Sequence, residues 1–225
     1  MLQQDELILE QIQIGPMDNF TYLLGCKRTR EVVIVDPAWD IESLERIISE
    51  KDYTLKAALV THYHPDHCGG SFGKRNVPGV AELMEQHLIK VYTNKLEADG
   101  LKKVTGLSDI DMNIVDSGDH LKIGDNDIEF IHTPGHTPGS QCFKVNNSLI
   151  SGDTLFVQGC GRVDLPGANS EDMFHSLRKL SKLPDETIIY PGHNYGPKES
   201  ETLEKVKEIN SYLRIEELEL WNQIM

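Results

Sequence analysis

The feature that most constrains this chain is the run Thr61 to Gly70, THYHPDHCGG, which begins where the apolar stretch Lys56 to Val60 (KAALV) ends. That stretch reads as a buried strand, and it delivers His62, His64, Asp66 and His67 together at its end. Alternate residues of an extended segment point the same way, so His62 and His64 can grip one ion. Asp66 and His67, just beyond the turn at Pro65, can face a neighbouring ion. Imidazole and carboxylate suit Zn²⁺, Fe²⁺ or Mn²⁺, and the absence of a cysteine ligand pattern argues against a closed structural zinc. One histidine here would pass for an ordinary solvent-facing loop residue; three with an aspartate, directly after a buried strand, do not.

The arrangement recurs three times. Thr133 to Ser140 (TPGHTPGS), Ser151 to Phe156 (SGDTLF) and Tyr190 to Asn194 (YPGHN) each follow an apolar run and carry His136, Asp153 or His193 directly after a glycine. Glycine there permits the tight turn that aims the next side chain into a shared cleft. Each segment alone could be turn chemistry, but with the first cluster they complete two ligand sets. His87, His120, His132 and His175 lack ligand-like neighbours and are expected to be structural or exposed. The four cysteines, Cys26, Cys68, Cys142 and Cys160, form no CxxC pair and read as free thiols in a reducing compartment.

Alternation predicts strands over Leu7 to Ile14, Phe20 to Leu24 and Glu31 to Val35, then a helix over Ile41 to Ile48 with Ile41, Leu44, Ile47 and Ile48 on one stripe. A helical middle section follows from Val80 to about Leu107, with a short strand possible at Val91 and Tyr92. A hairpin is expected at Leu121 to Ile123 and Ile128 to Ile131 about Gly124-Asp125-Asn126, then strands at Gln141 to Val145 and Ser148 to Ser151. Helical patterns return at Ser170 to Leu180, with Ser170 as N-cap, and from Thr202 to about Ile224. Strands, helix and strands twice over describe an α/β chain of two sheets packed face to face under helices.

Charge excludes some partners. Lys and Arg number 22 against 36 Asp and Glu, a net charge of −14, which repels nucleic acid and acidic membrane surfaces. Met1 to Glu10 has acids instead of a basic n-region and no apolar h-region, and no stretch approaches the roughly 20 apolar residues of a membrane span, so a cytoplasmic protein is expected.

The order HxHxDH, a lone His, a lone Asp and a last His resembles the metallo-β-lactamase superfamily over Leu7 to about Tyr195. The resemblance implies a four-layer αβ/βα sandwich, the metallo-β-lactamase fold, with the site along one edge of the paired sheets. It implies that His62, His64 and His136 hold a first metal, that Asp66, His67 and His193 hold a second, and that Asp153 bridges them. Within the superfamily, Gly152 to Phe156 with Gly159-Cys160-Gly161-Arg162 looks like glyoxalase II and its persulfide dioxygenase relatives. Glyoxalase II continues past its last His into a helical domain that completes the glutathione site. Here the 225 residues leave room for one long helix from about residue 200, so a single domain without a separate glutathione-binding domain is expected.

Two divalent ions roughly 3.5–4 Å apart share a bridging water and lower its pKa toward neutrality, which suits attack on an ester-like carbonyl. A thiolate leaving group, with a pKa near about 8.5, scarcely requires a general acid, so a thioester is favoured over an amide. The first functional expectation is therefore a thioesterase of the glyoxalase II type with two divalent ions, zinc before iron or manganese, acting on a small thioester or glutathione conjugate. Asp66 and Asp153 would hold the nucleophile and Arg162 would supply a local cation for an anionic substrate. Pairing of Arg162 with Asp164 is the plainer alternative. The second expectation is a persulfide dioxygenase with one iron, for which the resemblance implies that His62, His136 and Asp153 form the facial triad. A lactonase or another small-molecule hydrolase is a third, and a non-catalytic metal-binding module a fourth. The sequence leaves homo-oligomer formation open.

Overall fold

The computed structural model describes residues 6–225; the first five residues of the acidic N-terminal segment lie outside the described residues. Strands β1 (Leu7–Ile14), β2 (Asn19–Cys26), β3 (Glu31–Val35), β4 (Thr54–Leu59), β7 (Lys90–Asn94) and β8 (Met112–Val115) form one six-stranded sheet in the order β1-β2-β3-β4-β7-β8. The first three strands are antiparallel and the rest run parallel to β3. A second six-stranded sheet has the order β14-β13-β12-β11-β10-β9, built from β9 (His120–Ile123), β10 (Asn126–His132), β11 (Gln141–Val145), β12 (Ser148–Gly152), β13 (Ile188–Pro191) and β14 (Glu201–Thr202). A small hairpin, β5 (Gly70–Phe72) with β6 (Arg75–Val77), stands apart from both.

Period-two alternation explains how the layers separate. On β2, Tyr22 and Leu24 join Phe130, Phe143 and Ile150 between the sheets, whereas Leu23 faces the other way. There it meets helices α1 (Ile41–Glu50), α3 (Val80–Gln86) and α4 (Ala98–Thr105) through Leu44, Leu83 and Leu101. The second sheet does the same: Cys142, Leu149 and Ile189 face helices α5 (Ser170–Leu180), α6 (Leu203–Ile209) and α7 (Leu218–Ile224). Both sheets are thus covered on both faces, giving the expected order of helices, sheet, sheet and helices. Among the described residues no helix is long and apolar enough to cross a membrane.

Three local expectations are corrected or sharpened. Helix α5 is capped by Asn169, whose side chain accepts from the Asp172 amide at 3.0 Å, and Ser170 is its first residue. In the middle section the strand expected as an option at Val91 and Tyr92 is present and longer, β7 over Lys90–Asn94, and it separates α3 from α4. The single C-terminal helix is interrupted at Asn210, followed by a 3₁₀ turn over Ser211–Arg214 before α7. The Asn210 amide donates to the carbonyls of Phe156 and Gly159 at 3.1 and 2.8 Å, and its oxygen accepts from the Tyr212 amide. Breaking the helix thereby anchors the loop that follows Asp153.

Candidate metal centre

Ligand-type side chains gather where the ends of β4, β10, β12 and β13 meet on one edge of the sandwich. After β4 the chain stays extended through His64 (φ −65°, ψ 138°), and Pro65 then starts a one-turn helix, α2 (Pro65–Cys68), which carries Asp66 and His67. The loops are stitched across the sheets: the Gln141 amide donates to the Thr61 carbonyl at 3.0 Å, the Phe20 amide to Gly192 at 2.8 Å, and the Gly192 amide to Gly152 at 2.8 Å. Tyr22 of the first sheet also donates its hydroxyl to the Pro191 carbonyl of the second. The glycines have two separate reasons. Gly152 has φ +49°, left-handed backbone that a side chain resists. Gly192 has no such φ, but a Cβ there would sit 2.3 Å from Asp153 Oδ1.

All seven predicted side chains converge. His62, His64 and His136 form one compact donor set, and Asp66, His67 and His193 form another, with the donor atoms of each within 4.8 Å of one another. Asp153 lies between: Oδ1 is 3.4 Å from His67 Nε2, while Oδ2 is 3.3 Å from His193 Nε2 and 3.6 Å from His136 Nε2. His64 Nδ1 lies 2.9 Å from His136 Nε2, and the Nε2 atoms of His67 and His193 are 3.1 Å apart. Ring nitrogens so close tolerate each other only with a proton or a cation among them. His62 Nε2 and Asp153 Oδ1 are buried without any hydrogen-bond partner, an arrangement that costs stability unless something else satisfies them. The donor set and these two orphaned atoms fit divalent metal.

In four of the five histidines the other ring nitrogen has an outer partner that fixes the tautomer. His136 Nδ1 donates to the Arg162 carbonyl at 2.8 Å, His193 Nδ1 to Met17 at 2.9 Å and His67 Nδ1 to Asp36 Oδ2 at 3.0 Å. His62 Nδ1 donates to Thr61 Oγ1 at 3.0 Å, which in turn donates to Asp36 Oδ2 at 2.6 Å. Nε2 is therefore the free donor of four histidines, and Nδ1 that of His64. Asn19 donates to Asp66 Oδ2 at 3.1 Å.

Sequence reasoning missed two buried carboxylates. Asp36 follows β3 and collects both Thr61 and His67; as a lone acid closing an apolar strand (EVVIVD), it carried the strand-end part of the signal that singled out Asp153, without the glycine. Glu97, wholly buried at the start of α4, accepts from the Tyr63 amide at 2.7 Å, from the Thr137 hydroxyl at 2.8 Å and from the Gly139 amide at 2.6 Å. It clamps the His62–His67 loop to the His136 loop, and nothing in KLEAD advertised that. Burial pushes its pKa up, against these three donors.

The charges are mutually dependent. Burial first, then the neighbouring histidines, pushes His62 well below an ordinary histidine, and the same causes bring His64 to about 4. His67 goes the other way: burial opposes its charge, but Asp153 and Asp66 outweigh burial and raise its pKa well above the usual value. Burial alone would raise Asp66 and Asp153 too, yet His67 beside them holds both below the usual carboxylate range.

The sequence pattern of the metallo-beta-lactamase superfamily matches residues 14–193. The chain belongs to the metallo-beta-lactamase superfamily. Relatives within it include a probable hydroxyacylglutathione hydrolase of Schizosaccharomyces pombe, 35% identical over 91% of this chain and 73% of the relative. The probable polyketide biosynthesis zinc-dependent hydrolase BaeB of Bacillus velezensis is 31% identical over 89% of this chain and 84% of its own. Among solved structures, ETHE1 from Myxococcus xanthus superposes with a TM-score of 0.81 at 27% identity, covering 96% of this chain and 89% of that one.

In this superfamily member the two donor sets open onto a cleft of about 820 Å³, lined by His64, Asp66, His136, Asp153 and His193 at its floor and by Met17, Phe72, Phe156, Tyr195 and Tyr212 along its walls. Arg162 reaches the cleft, where its guanidinium is gripped by Asp164 through two bonds of 2.8 Å. The other histidines lie elsewhere: His87 pairs with Glu45, His120 with Asp127 and His175 with Glu171, while His132 Nε2 bonds the Pro138 carbonyl. Cys68 is a small buried residue, as expected, and Cys160 lines the cleft with its thiol pushed up to about 12 by burial.

Proposed function

We propose that the protein is a metal-dependent thioester hydrolase of the glyoxalase II type. The observation that carries this reading is the pair of three-residue donor sets with Asp153 between them at the floor of an open cleft. His62, His64 and His136 would hold one divalent ion, zinc before iron or manganese, Asp66, His67 and His193 a second, and Asp153 would serve both. When bound, such ions polarise the substrate carbonyl and supply hydroxide near neutral pH. The chain's own groups do the rest. Asp66 and Asp153, ionised and buried, would hold the nucleophile in line, and the Nδ1 partners lock four imidazoles, those of His62, His67, His136 and His193, in register. Tyr195 stacks on His193 at 4.5 Å between ring centroids, and burial and the nearby carboxylates push its hydroxyl up to about 12, so it stays protonated at the cleft wall. A thiolate leaves without a strong general acid, which suits a cleft in which, among the described residues, no lysine and no histidine beyond the proposed ligands appears.

Zinc-loaded protein should release free thiol from acyl-thioesters under strict anoxia, followed with a thiol-reactive dye, and chelation should abolish the release. Thiol release that needs oxygen, or none from any thioester, contradicts the proposal. The likeness to ETHE1 supports a second reading, a persulfide dioxygenase with one iron on His62, His136 and Asp153. It leaves the inward-facing Asp66, His67 and His193 set without a task, which is why the hydrolase is preferred.

The raised pKa of His67 yields a further expectation. Its folded pKa exceeds the unfolded value of about 6.5, so the stability it gives the metal-free protein is full below that value and is lost as pH rises through the folded pKa. A ligating histidine must be neutral, so zinc uptake at pH 7 should expel about one proton per chain from His67, besides any released as bound water becomes hydroxide. Calorimetric heats of zinc binding should then scale with the ionisation heat of the buffer; heats independent of buffer would show that His67 was already neutral.

A further inference from the structure

The walls of the cleft say more about the substrate than its floor does. Phe72 on the β5–β6 hairpin and Tyr195 beyond β13 line its mouth at 41% and 52% exposure, large rings left in water, and Leu165 and Tyr212 continue the surface inward. Phe156 packs edge-on against Tyr195 at 5.7 Å, so these two rings form one aromatic patch within the wall. Exposed apolar area of this kind marks a surface that something apolar covers.

Charge points the same way. Glutathione brings two carboxylates, which need cations, yet among the described residues Arg162 is the one lysine or arginine lining the cleft. Its fork is filled by Asp164, leaving a pair of no net charge. Lys74 and Arg75 lie in the adjoining groove on the far side of Phe72, with Pro16 and Trp39. The net charge of −14 adds to the bias against anions, whereas Asp66 and Asp153 at the floor do not, since the ions they would hold offset their charge.

We propose that the cleft takes thioesters of apolar acyl chains on an uncharged thiol arm, the acyl chain lying along the wall of Phe72, Phe156, Leu165, Tyr195 and Tyr212. This rests on the thioesterase reading above and narrows it. Each fully buried methylene multiplies binding about fourfold, so six added methylenes in a partly open cleft should raise kcat/KM at least about 100-fold.

The test compares acetyl- and octanoyl-N-acetylcysteamine with S-lactoylglutathione on zinc-loaded protein, and measures calorimetric binding of the matching acetyl and octanoyl amides, which cannot be cleaved, to metal-free protein. Octanoyl thioester should exceed acetyl at least about 100-fold and lactoylglutathione at least about 10-fold, and the octanoyl amide should bind more tightly than the acetyl amide. Phe72→Asp and Leu165→Asp, one on an exposed hairpin and one on a loop, should each cut the octanoyl-to-acetyl ratio about 10-fold while the circular dichroism melt is unchanged. Thioester cleavage with a flat chain-length profile, or with lactoylglutathione preferred, leaves the hydrolase standing and overturns this proposal. Cleavage of no thioester overturns both.

Discussion

Asp153→Ala should fold, lose most of its bound metal and lose thioester cleavage by more than the roughly 10–100-fold that removing an outer partner of a metal ligand costs. The reason is position: its two oxygens face His136 of one donor set and His67 and His193 of the other. The metal-free variant should also bind its second equivalent of zinc far more weakly than its first, because the carboxylate that balances charge between the sets is gone. Metal analysis and turnover on one preparation check this. Full metal content with full turnover would mean that the constellation is misassigned.

Asp36 should matter almost as much, although it holds no metal. It accepts from the Thr61 amide at 2.7 Å, the Thr61 hydroxyl at 2.6 Å and His67 Nδ1 at 3.0 Å, all buried. Removing the acceptor strands those donors at roughly 1–3 kcal/mol each, part of which relaxation recovers, so Asp36→Ala should cost about 3–5 kcal/mol. For a chain of this length that lowers Tm by roughly 6–15 °C. Zinc affinity should fall roughly 10–100-fold because His67 and, through Thr61, His62 lose their orientation. Asp36 has φ +50°, which Asn tolerates and Ala does not. Asp36→Asn should therefore recover much of the melting temperature, yet leave zinc affinity low, since an amide offers one acceptor where His67 and Thr61 need two. Equal recovery of both would make Asp36 a structural residue only.

The metal centre was legible because its chemistry is local: each of the four ligand segments follows an apolar strand and three of them carry the ligand directly after a glycine, so spacing and residue type carry the information. Asp36 obeys the strand-end rule but stands alone, without glycine or histidine beside it, and so drew no notice. Glu97 obeys no local rule. Its role arises from packing of α4 against two loops, a contact made by Tyr63, Thr137 and Gly139, which are distant in sequence. The broken C-terminal helix failed for a related reason: Leu203, Val206 and Leu213 do face the core, as their period predicts, but the pull of Asn210 on the Phe156 and Gly159 carbonyls is tertiary. Strands β8 and β14, of four and two residues, are too short for alternation to register.

The count of metal ions, taken on the same preparation as the activity, tests the central claim most directly. Elemental analysis of protein purified without added metal should give close to two equivalents of zinc, iron or manganese per chain, together with oxygen-independent cleavage of an acyl-thioester. One equivalent of iron, oxygen uptake with glutathione persulfide and no thioester cleavage would contradict it.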